Sequence, residues 1–597
     1  MRLRLNALAG AIALSGAMIA APAIATHPDT SFPKLYVPLV DGSPKGGTGL
    51  QLSFIRQGTF TPERAAQFRT GQTAFMTYYT GVEGDNQWLA GTFQPIPGKS
   101  VYENVNFVAT DGANFDASGD FNTSSFDTGT VRFNSCNDVE IEFANGGTVE
   151  FAALQSEASC PFTETVPATV AEADPICTAG GGVATDFGPA GIGCFVDAAN
   201  GPLTGSVTWA NNVPWIISGN VQVGDETEAG AGVLTIDAGT TVAADTSTGT
   251  ALVITQASKI DANGTAESPI ILTSTADIDP NATPGDEGWG GLIVLGRAPI
   301  NNCSSAPANE IDDSCEAVDE ALTQFQYGGN NPEDSSGTIR YVQARYTGLI
   351  VTDDRELQSF SFFGVGEGTT VEYINSYASD DDGIEFFGGT VGVRNVVSSA
   401  ASDDGFDWGF GWRGKAQYVL VYENGDHGIE ADNLEGNFDA ERRAQPLLAN
   451  FSIVGPADEG ARFRRGTGVN FYNSVISGAA DACLNFDNEE TFTAAGSPDN
   501  ITGTLTLNNI VLFGCGAGNF EESDGDLWSV QSFFEAQGGN MSMDPSLTGY
   551  LPAAKIQATG PLSADDFIQA VDYIGAFRDA NDDWTYPWAF GLPANQR

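Results

Sequence analysis

Five stretches align at near-constant spacing: SDDDGIEFF at 379–387, SDDGFDWGF at 402–410, GDHGIEADN at 425–433, ADEGARFRR at 457–465 and ADACLNFDN at 480–488. The column Asp381, Asp403, Asp426, Asp458, Asp481 steps by 22, 23, 32 and 23 residues. A unit this short cannot bury a core alone, so copies must stack on one another. Each copy is rich in glycine, acidic turns and strand formers and shows no helical period. The reading is all-β: a parallel β-helix in which each copy is one coil. The longer step between Asp426 and Asp458 is then a loop thrown out of one coil (ADNLEGNFDAERR).

Stacking turns a sequence column into a spatial row, with adjacent coils about 4.8 Å apart. The period-2 rule sends two columns inward. One is Ile384, Phe406, Ile429, Ala461, Leu484; the other is Phe386, Trp408, Ala431, Phe463, Phe486. Glu385, Asp407, Glu430, Arg462 and Asn485 lie between them and point outward.

The 597-residue chain carries a formal net charge of −52, with 25 Lys and Arg against 77 Asp and Glu. That charge excludes nucleic acid as a partner, because phosphates need Lys and Arg. It disfavours anionic membranes and favours cations. The start of the chain reads as a secretory signal peptide over 1–25. Arg2 and Arg4 precede an apolar run, and Ala23-Ile24-Ala25 is a small-residue cleavage site. No later stretch reaches the roughly 20 apolar residues of a membrane helix, so the chain is expected not to span a membrane. The expected location is periplasm, outer cell surface or outside the cell. An even set of cysteines in an exported chain points to disulfides. Neighbours in sequence make four short loops: Cys136–Cys160, Cys177–Cys194, Cys303–Cys315 and Cys483–Cys515.

Composition along the chain suggests a β-rich N-terminal domain over 26–200, a solenoid over 205–560 and a C-terminal cap over 561–597. The segment SCPFTETVPATVAEADPICTAGGG reads as a linker or long loop, and Asp565 to Ala570 as a short helical stretch.

WGGLIVLGRAPIN (289–301), YGGNNPEDSSGTIRYVQ (327–343), SDDDGIEFFGGTV (379–391) and VDYIGAF with DDWTYPWAF near the end resemble a broad set of exported bacterial proteins, many of them lipoproteins. The resemblance implies a right-handed parallel β-helix and export. It implies no established activity and carries no functional residues with it. The anchor cysteine of the lipoprotein members is missing after the cleavage site.

Three constellations could carry chemistry. The acidic row Asp381, Asp403, Asp426, Asp458 is the first. Carboxylates one coil apart repel by roughly 1 kcal/mol in water and about 3–4 kcal/mol at an effective dielectric of 20. Bound Ca²⁺ would relieve this; capping of turn amides is the alternative. The second is catalytic. Asp382, Asp403, Asp404, His427 and Arg462 follow one another at coil spacing, an order similar to that of the polygalacturonase-like hydrolases among β-helical enzymes; a lyase would instead need a basic residue beside a calcium-held uronate. The NTD, GDDC, GHG and RIK phrases of the polygalacturonase-like group are absent. The third is a glycan surface of Trp412, Arg442, Arg443 and Arg464, in which Arg would grip sugar carboxylates or, alternatively, pair with neighbouring acids. The functional expectation is a cation-binding protein that engages a glycan or cell-envelope component. The alternative is a hydrolase or lyase acting on an anionic glycan at the 380–465 face.

Overall fold

The computed structural model describes backbone strands between Tyr36 and Ala153, and residues 167–593 apart from 168, 286–287, 304–314, 319–323, 353–354, 561 and 563–564. The chain forms two compact units, Met1–Pro167 and Ala168–Gln596. The expected signal peptide and the pair Cys136–Cys160 lie outside the described residues.

The first unit holds a nine-stranded antiparallel sheet. Its first strand, Tyr36–Val40, also pairs with its last, Thr148–Ala153, so the sheet closes on itself and that seam has no free edge.

The second unit is a parallel solenoid. One sheet, the larger ladder, has 16 strands and another, the smaller ladder, has 10; from Gly337–Arg345 onward successive coils add one strand to each, while three earlier coils place two short strands in the larger sheet, such as Gly205–Trp209 and Trp215–Ser218. The ladder already includes Ile192–Asp197, which pairs in parallel with Trp215–Ser218. Both inward columns are in register and buried, as alternation requires: Phe406 pairs with Ile429, Ala461 with Leu484 and Phe386 with Trp408. Stacked rings continue the core along the axis, with centroids 5.4 Å apart for Phe362 and Phe386.

A glycine column sharpens each turn. At Gly383, Gly405, Gly428 and Gly460 a Cβ would lie 2.1–2.4 Å from Ser398, Asn424, Ile453 and Ile476 respectively. None of these glycines has positive φ; the requirement is space. The D-x-G signature is therefore set by the close approach of the turn to the facing sheet.

Residues 432–444 leave the solenoid as the expected loop. Asn433 ties it down by donating to Phe438 and Ala440 carbonyls and accepting from Ala444 N–H. Three expected disulfides are present: Cys177–Cys194, Cys303–Cys315 and Cys483–Cys515.

Two local expectations are corrected. The supposed linker contains the helix Val170–Ala179, opened by a Thr169/Glu172 capping box and tied to the first coil by Cys177. Pro175 inside it disguises the helical pattern. The stretch Asp565 to Ala570 is not helical, because Asp565 turns the chain by accepting from Phe567 and Ile568 amides. Helix Val530–Glu535 packs on the last two coils of the smaller ladder, with the Phe534 ring 5.2 Å from Phe520 and the Phe533 ring 5.8 Å from Phe486. The tail beyond 565 runs along the flank of the larger ladder. Among the described residues no helix is long and apolar enough to cross a membrane.

Candidate functional site

The turns before the strands of the smaller ladder stack as two adjacent columns. Asp426 N–H donates to Asp403 O, Asp458 N–H to Asp426 O and Asp481 N–H to Asp458 O, which makes the outer acidic column continuous. Gly383, Gly405 and Gly428 amides donate to the carbonyls of Asp404, His427 and Glu459, giving an inner column Asp382, Asp404, His427, Glu459. The inner column is buried. Asp426 and Asp458 remain 41% and 46% exposed, so the row faces solvent through its outer column.

Side chains interlock along the inner column. Asp382 Oδ1 accepts from Asp404 N–H at 3.0 Å. Asp404 Oδ1 accepts from His427 N–H and also lies 2.8 Å from His427 Nδ1. On its other edge, His427 Nε2 lies 3.5 Å from Glu459 Oε2, 3.7 Å from Asp458 Oδ2 and 3.4 Å from Arg462 Nη1. Burial opposes charge on the ring, but the Asp404 hydrogen bond, with Asp426 and Glu430 nearby, outweighs it and raises His427 to about 9. The imidazole is therefore cationic at neutral pH. The Arg462 contact is then no hydrogen bond, since that would need a neutral acceptor nitrogen; it is a close approach of two cations offset by Glu459 and by Asp487, which holds Arg462 at 2.6 Å.

The carboxylates are displaced upward. Burial, then Asp403 and Glu356, push Asp381 to about 7. Burial, then Asp404 and Asp426, push Asp403 to about 7. Asp382 and Asp407 are held well above the usual range by burial and by Asp381 and Glu430 respectively. Burial and Asp404 lift Glu430 to about 8, and burial lifts Glu459 to about 7 against Arg462 and His427. Such groups need shared protons or a bound cation at neutral pH.

The expected row is regrouped. Asp381 and Asp403 do meet, but with Asp382 as third partner, their oxygens within 4.8 Å of one another. Asp426 joins Asp404 and His427 instead, while Asp458 lies beside the histidine and belongs to none of the metal-sized groups among the described residues. Asp382, Glu385 and Asp407 form a further group, as do Asp404, Asp407 and Glu430. The outward column of Glu385, Asp407 and Glu430 was legible by alternation; its convergence with the turn acids was not.

Of the expected glycan surface, Trp412 is corrected: it is fully buried, stacked on Phe386 at 4.1 Å, and donates to Val391 O at 3.2 Å. The chain folds back after Gly411, which has φ +79, and carries the indole inside. Arg464 is engaged by Glu430 and Asp432, and Arg443 by Asp439 and two carbonyls. Arg442 is half-buried near Arg413.

Parallel coils stacked in two long sheets, with acidic turns in register on one face, define a parallel β-helix protein. A profile of the pectate-lyase-like beta helix domain family matches residues 201–540, and the chain belongs to that family. Among solved structures it is similar to the periplasmic alginate epimerase AlgG (10% identity, 60% of this chain and 80% of that chain, TM-score 0.24). It is also similar to the catalytic domain of a GH87 alpha-1,3-glucanase (11% identity, 83% and 97%, TM-score 0.28) and to the catalytic unit of a GH87 alpha-1,3-glucanase from Streptomyces thermodiastaticus (12% identity, 85% and 94%, TM-score 0.23). No curated protein matches the chain.

Proposed function

We propose that this is an exported protein of the periplasm or cell surface whose acidic face binds Ca²⁺ and engages an anionic glycan or envelope polymer. The observation that supports it most is the group Asp381, Asp382 and Asp403, three carboxylates on two neighbouring coils whose oxygens converge. An all-oxygen set suits a hard cation. Ca²⁺ takes about six to eight oxygens, so three carboxylates leave positions for water and for a carboxylate of the polymer.

A second reading, a hydrolase or lyase on the same face, is favoured by the convergence of Asp404, His427, Glu459 and Arg462. In that reading His427 enters as a proton donor, since Asp404 keeps it charged, and Glu459 at about 7 is the group able to exchange a proton near neutrality.

Thermal unfolding with Ca²⁺ and with chelator tests the first reading. A ligand at a hundred times its dissociation constant stabilises by about 2.7 kcal/mol. The expected outcome is a rise in Tm that Asp403→Asn abolishes. No Ca²⁺-dependent rise would sink the cation reading. Product assays on uronic-acid polymers, with Asp404→Asn as control, test the second.

A further inference from the structure

His427 takes the place in the inner column that aspartate holds on the two coils before it. Its side chain is 4% exposed and its two nitrogens face different sets of oxygens. Nδ1 lies 2.8 Å from Asp404 Oδ1, 3.6 Å from Asp426 Oδ2 and 3.8 Å from Glu430 Oε1. The donor atoms of Asp404, Asp426 and His427 all fall within 4.8 Å of one another. Ligands about 2.1 Å from a shared divalent ion stand roughly 3–3.5 Å apart, so small side-chain rotations would close a shell here. The backbone fixes the spacing. Gly405 N–H donates to His427 O, Asp426 N–H to Asp403 O and His427 N–H to Asp404 Oδ1. Neighbouring coils therefore present these donors in constant register.

An independent observation lies on the other edge of the ring. Glu459 is buried, and its Oε1 accepts from Asn485 Nδ2 at 2.7 Å. Its Oε2 is buried with no hydrogen-bond partner among the described residues, and it faces His427 Nε2 at 3.5 Å. A buried polar atom left so costs about 1–3 kcal/mol. An imidazole that ligates a metal through one nitrogen almost always gives its other N–H to a carboxylate, a carbonyl or water. Glu459 Oε2 stands where that acceptor belongs. The surrounding charge also favours a cation. Asp458 Oδ2 lies 3.7 Å from Nε2. Arg462 Nη1 approaches Nε2 at 3.4 Å, but that guanidinium is held by Asp487, and Arg464 is held by Glu430 and Asp432. Asp426, 41% exposed, opens the group to solvent.

We propose that Asp404, Asp426 and His427 form a second cation site, selective for a transition ion of the Zn²⁺ class, with Glu430 as fourth ligand and Glu459 as acceptor of the ring's remaining N–H. The group Asp381, Asp382 and Asp403 offers oxygen alone and suits a hard ion, whereas an imidazole nitrogen favours Zn²⁺ over Ca²⁺. On binding, the proton between Nδ1 and Asp404 leaves to solvent and the ion takes its place, so the ring becomes neutral and nothing is oxidised or reduced. Four protein donors close a tetrahedral shell, the pattern of a structural zinc site. The ion would thus staple the coil of Asp404 to the coil of His427, independently of any ion at Asp381.

The test is calorimetric titration of the untagged full chain with ZnCl₂ in excess CaCl₂, which keeps the all-oxygen group supplied, with the His427 ring followed by NMR. One Zn²⁺ per chain is expected, with the ring resonances shifting as it binds. His427→Gln and Asp426→Asn are expected to weaken binding by about tenfold or more, and Glu459→Gln by about tenfold. Metal-free Tm is the folding check for His427→Gln, and Asp426, being exposed, supplies the variant least able to disturb the core. Asp381→Asn is expected to leave Zn²⁺ affinity unchanged while removing the Ca²⁺-dependent rise in Tm, which separates this site from the proposed Ca²⁺ site. His27→Asn, which removes the other histidine, should change nothing. No Zn²⁺ binding in excess Ca²⁺, or equal affinity in wild type, His427→Gln and Asp426→Asn, would overturn the proposal. So would a loss in Asp381→Asn as large as that in His427→Gln.

Discussion

Asp404→Asn isolates the electrostatics of the inner column. The substitution keeps an oxygen to accept from the His427 amide but removes the charge that holds the imidazole protonated. His427 is 4% exposed, so solvent screens this contact little. A rise from 6.5 to about 9 corresponds to ~3 kcal/mol of folded-state stabilisation. The sign follows from the direction. A histidine whose folded value is raised contributes fully below 6.5, and its contribution is lost as pH climbs through about 9. The assay is a histidine-ring NMR titration joined to urea unfolding at the two ends of that window. The chain has two histidines, and His27→Asn assigns the signals. Wild-type His427 should titrate near 9, and in Asp404→Asn it should titrate well below that, with a much smaller alkaline loss of stability. An identical titration in both proteins, or a wild-type value at or below 6.5, would refute the reasoning.

Three further outcomes follow from packing. Gly428→Ala would set a Cβ 2.2 Å from Ile453 Cγ2 and 2.5 Å from Gly460 O; urea unfolding should show a loss of ~1–3 kcal/mol, whereas Gly525→Ala, with open space around it, should show none. Trp412→Ala should cost about 3–5 kcal/mol by the same measurement while leaving glycan affinity below Tm unchanged, because the indole is inside. Replacing both Cys483 and Cys515 by Ser opens a link across 32 residues; chain entropy predicts a loss of ~3–4 kcal/mol, read by the urea midpoint.

The coils were legible because stacking repeats one local solution at a fixed step, so apolar alternation in SDDDGIEFF or SDDGFDWGF maps directly onto buried columns. Alternation stops where the strand stops, and errors begin there. Trp412 lies beyond the Gly409–Gly411 turn, where the period-2 rule no longer says which way a side chain points. The acids lie in the turn before each strand, where neighbours such as Asp381 and Asp382 face the same space. They therefore group across two columns instead of along one. The charge state of His427 depends on groups from several turns and on burial together, and neither can be read from spacing. The helix Val170–Ala179 did announce itself, by Thr169 and Glu172, but Pro175 and flanking glycines suggested a loop.

Both ladders show where departure from a repeat carries information. A column in a solenoid has one backbone role, and the residue that fills it most simply does so again and again: Asp in the acidic turns, Asn at the left-handed bend. In the inner acidic column, the aspartates give way to histidine at 427 and to glutamate at 459, and the charges around that histidine hold it cationic among acids. The left-handed column of the larger ladder is asparagine at 395, 450, 473 and 509 but tyrosine at 341, 373 and 418, and two of those rings border a cleft between ladder and tail. The left-handed backbone gains nothing from tyrosine. Tyr341 and Tyr373 find packing against Trp588, at 5.7 and 5.8 Å between centroids. Tyr418 is held through its hydroxyl instead, which lies 3.3 Å from Gln569 Oε1 and is hydrogen-bonded with Tyr573 of the tail. Those contacts with the tail offset its left-handed backbone, and Tyr418→Asn tests them. Tyr418 is 8% exposed, so the substitution should lower Tm, because the lost ring packing and hydroxyl contacts outweigh the roughly 1–2 kcal/mol of backbone relief; a raised Tm would show that the tail gains nothing from the tyrosine.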